Sequence, residues 1–489
     1  MTLGVLALDQ GSHASRACIF DESGALCASA SVPVATRQPA PLHVEHDARA
    51  LVSSLQAAAD SALHAARAQR PDLTLDAAGL AVQRSTIVCW SRAQRTSLSP
   101  AISWQDRRNA AWLETLAPHA ARVRDITGLP LSPHYGASKM RWCLEHLPAA
   151  AQAAAAGDLI VAPLASYLAT QLDVRRDAAV AGVDVANAGR TQLFDSRTLD
   201  WSSELLELFS IKRTWLPRCI ETRGNWGTLR VADQEVPLHA VTGDQSAVPY
   251  ATGTPDAGTV YVNLGTGAFI QRPLTQRPAD PAPLLGSLLS RDPQGAVYSL
   301  EGTVNGAGSA VSWFCATERC SEPELWSALE KLPDAIDLPI FLNGIGGLGS
   351  PWWRVQQESR YVGSAADGSA HGAVPEDRTL RFAALIESIA IMIAVNAELL
   401  SRQAGVPQRV VLAGGMSRSA WLGRRLAALI DRPVDILDAE ASARGVAHLA
   451  APDLARHWES APLHSHVPHP DARLQARFRR YIDLMPTAA

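Results

Sequence analysis

Three short stretches set glycines between apolar runs: Gly11-Ser12 in "LALDQGSHASRACIFD", Gly265-Thr266-Gly267 in "TVYVNLGTGAFIQRP", and Gly414-Gly415 in "RVVLAGGMSRSAWL". A residue without Cβ lets backbone N–H groups crowd around an anion, and a concave row of such dipoles favours phosphate. Taken singly, each is an ordinary tight turn. As a set they point to phosphate handling. Asp9, at the first turn, has the chemistry to organise Mg²⁺, which takes one or two carboxylates with water and phosphate oxygens; the plainer reading is a strand-end turn aspartate. Asp244 follows an apolar run and a glycine in "LHAVTGDQSAVPYATG". It is expected at the C-terminal end of a strand, facing a cleft, where a carboxylate takes the proton of an attacking hydroxyl. An aspartate in a domain-boundary turn is the bland alternative.

One motif is a decoy. "GIGGLG" (344–349) matches G-x-G-x-x-G, but "SPWWR" follows it, and proline with two tryptophans does not continue as a nucleotide-binding helix. No acidic residue ends a second strand about 20 residues on, as the dinucleotide fingerprint requires. It reads as a glycine loop. No Walker A sequence occurs in the chain.

The elements that must hold these residues are legible from periodicity. The first two glycine stretches read as β-hairpins, and their recurrence about 250 residues apart suggests two related halves. "AGLAVQRSTIVCW" (78–90) reads as strand, polar break, strand. "AISWQDRRNAAWLETL" (101–116) is expected to enter a helix with Trp104, Asp106, Arg107 and Arg108 at its start. "RVVLAGGMSRSAWLGRRLAALIDRPV" reads as a buried strand, a glycine turn and a helix with Leu422, Leu426, Leu429 and Ile430 on one face. Strands mixed with helices in both halves argue for α/β domains. The turn-rich "TGTPDAG" places a boundary near residue 250, giving domains 1–248 and 249–489.

Bulk properties exclude several classes. A chain of 489 residues exceeds one core. Net charge is −4, so there is no basic footprint for nucleic acid. Seven scattered cysteines, without a His cluster, build neither a disulfide framework nor a zinc site, and a reducing, cytoplasmic compartment is expected. "MTLGVLALDQG" lacks the basic region of a signal peptide, and "RFAALIESIAIMIAVNAELLSR" is interrupted by Glu387, Asn396 and Glu398, so a buried core helix is expected and no membrane insertion.

In order along nearly the whole chain, "LDQGSHASRACIFD", "QRST", "ISWQDRR", "TGLPLSPHYGASKMRW", "NAGRTQLFDSRTLDW", "GDQSA", "NLGTGAF", "YSLEGTVNGAGSAVSW", "GIGGLGSPWW" and "VLAGGMSRS" resemble the FGGY carbohydrate kinases, and within them the glycerol kinases. The resemblance implies two actin-like, ribonuclease-H-type ATPase domains with the active site in the cleft between them. The substrate side and first phosphate turn would lie in the N-terminal domain, the nucleotide side in the C-terminal one. It implies ATP and Mg²⁺ as cofactors, Asp244 as general base and Asp9 acting through the metal. Ser12, His13, Arg16, Gly265, Thr266, Gly267, Gly308, Ser312, Gly414, Gly415 and Ser419 stand where the family touches ATP. Arg84, Ser85, Trp104, His134, Tyr135, Asp244, Gln245 and Phe269 stand where a small polyol or sugar is held. Five positions depart from the glycerol-kinase pattern, one of them the "AGG" at 413–415, which lacks the usual leading aspartate. Ser85 replaces a glutamate that would bind polyol hydroxyls, and His134 replaces a pocket tyrosine, with Tyr135 adjacent. His13 replaces a threonine, and Ser419 an asparagine. The lost carboxylate leans the expected substrate toward a larger polyol or ketose. Dimers occur in the family, so a homodimer is a further expectation. Two other readings stand beside the kinase: an actin-like nucleotide-binding regulatory module, and a degenerate family member without sugar kinase activity.

Overall fold

The computed structural model describes residues 2–176, 182–334, 336–363, 374–437, 440–458 and 462–487. The first half is built on strands β1 (Thr2–Gln10), β2 (Ala14–Asp21), β3 (Leu26–Pro33), β4 (Leu73–Val82) and β5 (Gln234–Gly243). β1, β2 and β3 form an antiparallel meander, while β4 and then β5 add in parallel on the other side of β1. The second half repeats this plan. β6 (Thr259–Leu264) pairs antiparallel with β7 (Ala268–Leu274), which pairs with β9 (Gly295–Val304), and β8 (Leu285–Asp292) lies beyond it. β10 (Arg409–Ala413) and β11 (Val434–Ile436) add in parallel beside β6. The two hairpins therefore do open two related α/β halves.

Each sheet is covered by helices. α1 (Ala48–Gln69) lays Leu51, Leu55, Ala58 and Ala62 on the first sheet, a helical stripe of three- and four-residue steps. Asp47 caps it by accepting the N–H groups of Arg49 and Ala50. The long apolar helix α4 (Arg378–Ala404) is the core of the second half, with 89% of its most apolar stretch buried inside the fold. α5 (Ala420–Ile430) follows the third glycine turn. α6 (Ala441–Ala450), late in the chain, packs Ala443, Val446 and Ala447 against Val5, Ala7, Ala77 and Ala81 of the first sheet. A segment of the second half thereby covers a face of the first.

One local expectation is corrected. Trp104, Asp106, Arg107 and Arg108 do not begin a helix; they lie in the turn between a short strand, Ala101–Ile102, and the five-residue helix α2 (Ala110–Glu114). The buried Asp106 carboxylate accepts the Val44 N–H (2.6 Å), the Arg108 N–H (2.9 Å) and the Arg108 guanidinium. Such side-chain bonding offers the backbone an alternative to the helical ladder.

Candidate functional site

Parallel strands put their C-terminal ends in one row, and the loops leaving that row form the crevice of an α/β sheet. In the first half Gly243 of β5 is level with Val82 of β4, and Val82 with Gln10 of β1. Asp244, the Gln83-Arg84-Ser85 turn and Gly11 thus emerge side by side, and the Gln83 N–H donates to the Gln10 carbonyl at 2.9 Å. In the second half Asn263 of β6 is level with Ala413 of β10, so the turns at Gly265 and Gly414 also emerge together.

The second row is closed so tightly that side chains are excluded. A Cβ on Gly308, the first residue of α3 (Gly308–Glu318), would meet the Gly265 carbonyl oxygen at 2.7 Å. At Gly414, φ is +94° and a Cβ would meet the Leu264 oxygen at 2.3 Å. The N–H groups of Gly308 and Ser309 donate to the carbonyls of Gly265 and Thr266. Ser312 is exposed on the first turns of α3, and Gly415 faces open space. Ser419 caps α5: its hydroxyl accepts from the Leu422 N–H and donates to Glu330 at 2.6 Å, so its proton is committed away from any base.

Asp244 is joined to that row through its neighbour. Gln245 donates its N–H to one Asp244 oxygen at 2.7 Å, and its side-chain oxygen accepts from Asn263 at 2.9 Å. Burial raises the Asp244 carboxyl above its ordinary range, tempered by the charge of Arg84. Asp9 is raised to about 6 by burial, against a 2.7 Å hydrogen bond from Ser442 of α6 and with a further rise from the charge of Asp244. Arg16 reaches Glu440 beside that same helix at 3.5 Å. His13 is exposed at the rim.

The residues expected to hold the acceptor come together as a wall in the first half. The Trp104 indole lies 5.6 Å, ring to ring, from His134, and His134 lies 5.0 Å from Tyr135. Burial, then the charges of Arg107 and Lys139, hold the His134 imidazole neutral, with one donor and one acceptor for hydroxyls. The buried Lys139 ammonium staples the wall by donating to the carbonyls of Ser85, Ser103 and His134 at 2.9, 2.9 and 2.7 Å. Ser85 sits at φ +66°, and among the described residues its buried hydroxyl has no partner. Tyr135 is packed with Leu129 and Leu285. Phe269 is half-buried on β7.

Arg84 is held by residues that sequence reasoning passed over. Its stem crosses Gly243, where a Cβ would meet Cδ at 2.6 Å. Its two terminal nitrogens grip Glu301 of β9 at 2.8 and 3.1 Å, and Arg190 contacts the same carboxylate. Burial alone would raise Glu301, but Arg190 and Arg84 overcome it and hold the carboxyl well below the usual range. The signal was present: an acid in the middle of the apolar strand "VYSLEGTV" demands a cation. Gln83 and Ser442 were also missed, and neither carries a local signature.

Comparison with known proteins adds the family. The FGGY carbohydrate kinase N-terminal domain matches residues 4–259 and its C-terminal domain residues 260–453. The chain belongs to the FGGY carbohydrate kinases. Among relatives of this FGGY member, a glycerol kinase of Cereibacter sphaeroides is 32% identical over 91% of this chain and 90% of its own length. The Plasmodium falciparum glycerol kinase structure with ADP superposes with a TM-score of 0.86, covering 99% of both chains at 20% identity. A gluconate kinase from Lactobacillus acidophilus gives 0.81 at 18% identity, over 99% of this chain and 98% of its own. These structures carry the fold: two actin-like ATPase domains, as expected.

Proposed function

We infer that this FGGY kinase transfers the γ-phosphoryl group of ATP to a hydroxyl of a small polyol or sugar. The observation that carries the reading is the shared row of Asp244, Arg84 and Gly11 at the C-terminal ends of neighbouring strands, with Gln245, bonded to both Asp244 and Asn263, linking it to the glycine-lined row of the other half. Asp244 takes the acceptor hydroxyl proton as that oxygen bonds to the γ-phosphorus, and the bond to the β,γ-bridging oxygen breaks to release ADP. Trp104 and His134 supply a wall against which a small polyol packs, and Arg84 and Gln245 supply donors. The turns at 266–267 and 414–415 hold the phosphates with backbone N–H groups, while Gly308, whose own N–H donates to the Gly265 carbonyl, lets α3 approach the turn closely.

Asp9 fits a Mg²⁺ site: a half-buried carboxylate whose ionisation burial disfavours gains from a divalent cation, with phosphate and water completing the shell. The ion would neutralise phosphate charge. Ser85 supports a substrate longer than glycerol, because a small side chain with an unpartnered buried hydroxyl leaves both volume and a hydrogen-bonding group for another hydroxyl. The test is a panel of polyols and ketoses assayed by ADP release. Acceptor-dependent ADP from any of them separates a kinase from a nucleotide-binding module, and glycerol as the best acceptor overturns the longer-substrate reading.

A further inference from the structure

The acceptor wall belongs to the first half of the chain, yet the group that fixes its arginine does not. Arg84 and Glu301 are 217 residues apart, and Arg190 and Glu301 are 111 apart. All three side chains are at most 7% exposed. Glu301 Oε1 accepts from Arg84 Nη1 and, at 3.1 Å, from Gln271 Nε2, while Oε2 accepts from Arg84 Nη2 and Arg190 Nη2. Every lone-pair direction of the carboxylate is thus used, and none is left for a substrate hydroxyl. Arg190 also donates to Ser287 of β8 at 2.8 Å, and its charge acts on the Tyr135 hydroxyl. The strut therefore runs from the second-half sheet into two walls of the acceptor pocket, at Arg84 and at Tyr135.

We propose that Glu301 is a positioning residue of the acceptor site: supplied by the second half, it orients Arg84 over Asp244 and anchors Arg190 behind Tyr135, so the pocket is complete only when the halves are docked. A guanidinium fork gripped bidentately is fixed in plane and direction, which a lone arginine on a turn is not. The residue touches neither substrate nor nucleotide in this assignment. The proposal rests on the kinase reading only for its kinetic consequence, while its structural consequence needs no substrate.

Hydrogen exchange on the full chain without ligand is the first test. Glu301→Gln should speed amide exchange in segments 83–87 and 188–193 as well as along β9; exchange altered in β9 alone would overturn the strut. The second test uses the wild-type enzyme's better acceptor of glycerol and D-xylulose. Glu301→Gln should raise the acceptor KM by about a hundredfold, as expected for a misplaced positioning group, with the ATP KM within about twofold. Glu301→Asp, which keeps the charge, should recover part of that loss. Equal loss in both KM values, or no recovery by aspartate, overturns a positioning role. If Glu301→Gln does not accumulate folded, Arg190→Gln takes its place, with the same split expected. Wild-type protein inactive on both acceptors would bear on the kinase assignment alone, and the exchange result would still decide the strut.

Discussion

The Trp104 indole N–H donates to the Ser12 hydroxyl at 2.9 Å, and Ser12 in turn donates to the Gln83 side-chain oxygen at 3.0 Å. Thr86 donates to that same oxygen, and the Trp104 backbone N–H donates to Thr86. The turn at Gly11-Ser12 and the Trp104 segment are therefore one hydrogen-bonded unit, though they lie some 90 residues apart.

Removing that link should be felt on both sides. Trp104→Phe keeps an aromatic ring but removes the pyrrole half of the indole with its N–H; the loss of one neutral hydrogen bond, ~1 kcal/mol, predicts about a fivefold rise in KM for ATP, with a rise at least as large for the acceptor that loses ring contact as well. Steady-state kinetics with each substrate varied in turn checks this, and an effect confined to the acceptor would show that the turn is independent.

Asp244→Asn should lower kcat by about a thousandfold while nucleotide affinity, read by calorimetry with a non-hydrolysable ATP analogue, stays near wild type. Because burial raises this carboxyl, the acid limb of kcat/KM should lie above the ordinary aspartate pKa of 3.8, with activity lost as pH falls through the limb and the base takes up its proton. A profile flat down to pH 4 would count against Asp244 as the base.

Asp9 makes a stability prediction. Its folded pKa, about 6, is higher than 3.8, so the folded state binds a proton more tightly than the unfolded chain. That contribution is full below pH 3.8 and is lost as pH rises through 6; a shift of this size corresponds to about 3 kcal/mol at most, nearer 2 for a half-buried group. Asp9→Asn should therefore stabilise the ligand-free protein at pH 7.5 by about 2 kcal/mol and abolish turnover. Urea unfolding at pH 5 and pH 7.5 reads the difference, and equal stability of variant and wild type at the higher pH would refute it.

Ser85→Glu introduces a carboxylate beside an unpartnered buried position, next to the carbonyl held by Lys139. Selectivity for glycerol over xylitol, as the ratio of kcat/KM values, should rise at least about tenfold, since a buried acceptor discriminates strongly for a hydroxyl that reaches it. An unchanged ratio would mean that residue 85 does not face the acceptor.

A buried ion-pair network in the second half offers a control away from the cleft. Glu387 on α4 binds Arg477 at 2.6 and 2.9 Å and Arg425 at 3.4 Å. Glu387→Gln leaves those buried cations short of their counter-charge and should cost about 3 kcal/mol in stability, with KM values unmoved.

The glycine turns and Asp244 were legible because their signals are local: an apolar run, a residue without Cβ, then a polar atom at a strand's end. Hairpin β1–β2 and hairpin β6–β7 were readable for the same reason, each being set by a few neighbouring residues. The placement of Trp104 was not, because Asp106 bonds to Val44, far back in the chain, and that contact displaced the expected helical start. Ser419, which the resemblance sets beside the nucleotide, donates its hydroxyl proton to Glu330, a partner 89 positions away that no local pattern announces.

By itself, then, the sequence determined the two-half plan, the phosphate-favouring turns and the carboxylate at the strand end, since period and turn chemistry act over a few residues. Only the tertiary structure decided what neutralises Arg84, what holds Asp9 and how Trp104, His134 and Tyr135 meet ring to ring. Those are pairings of buried charges and rings across hundreds of residues. Such a pairing forms only when desolvation forces a charge to find its counterpart in space, and that demand leaves little trace in neighbouring letters.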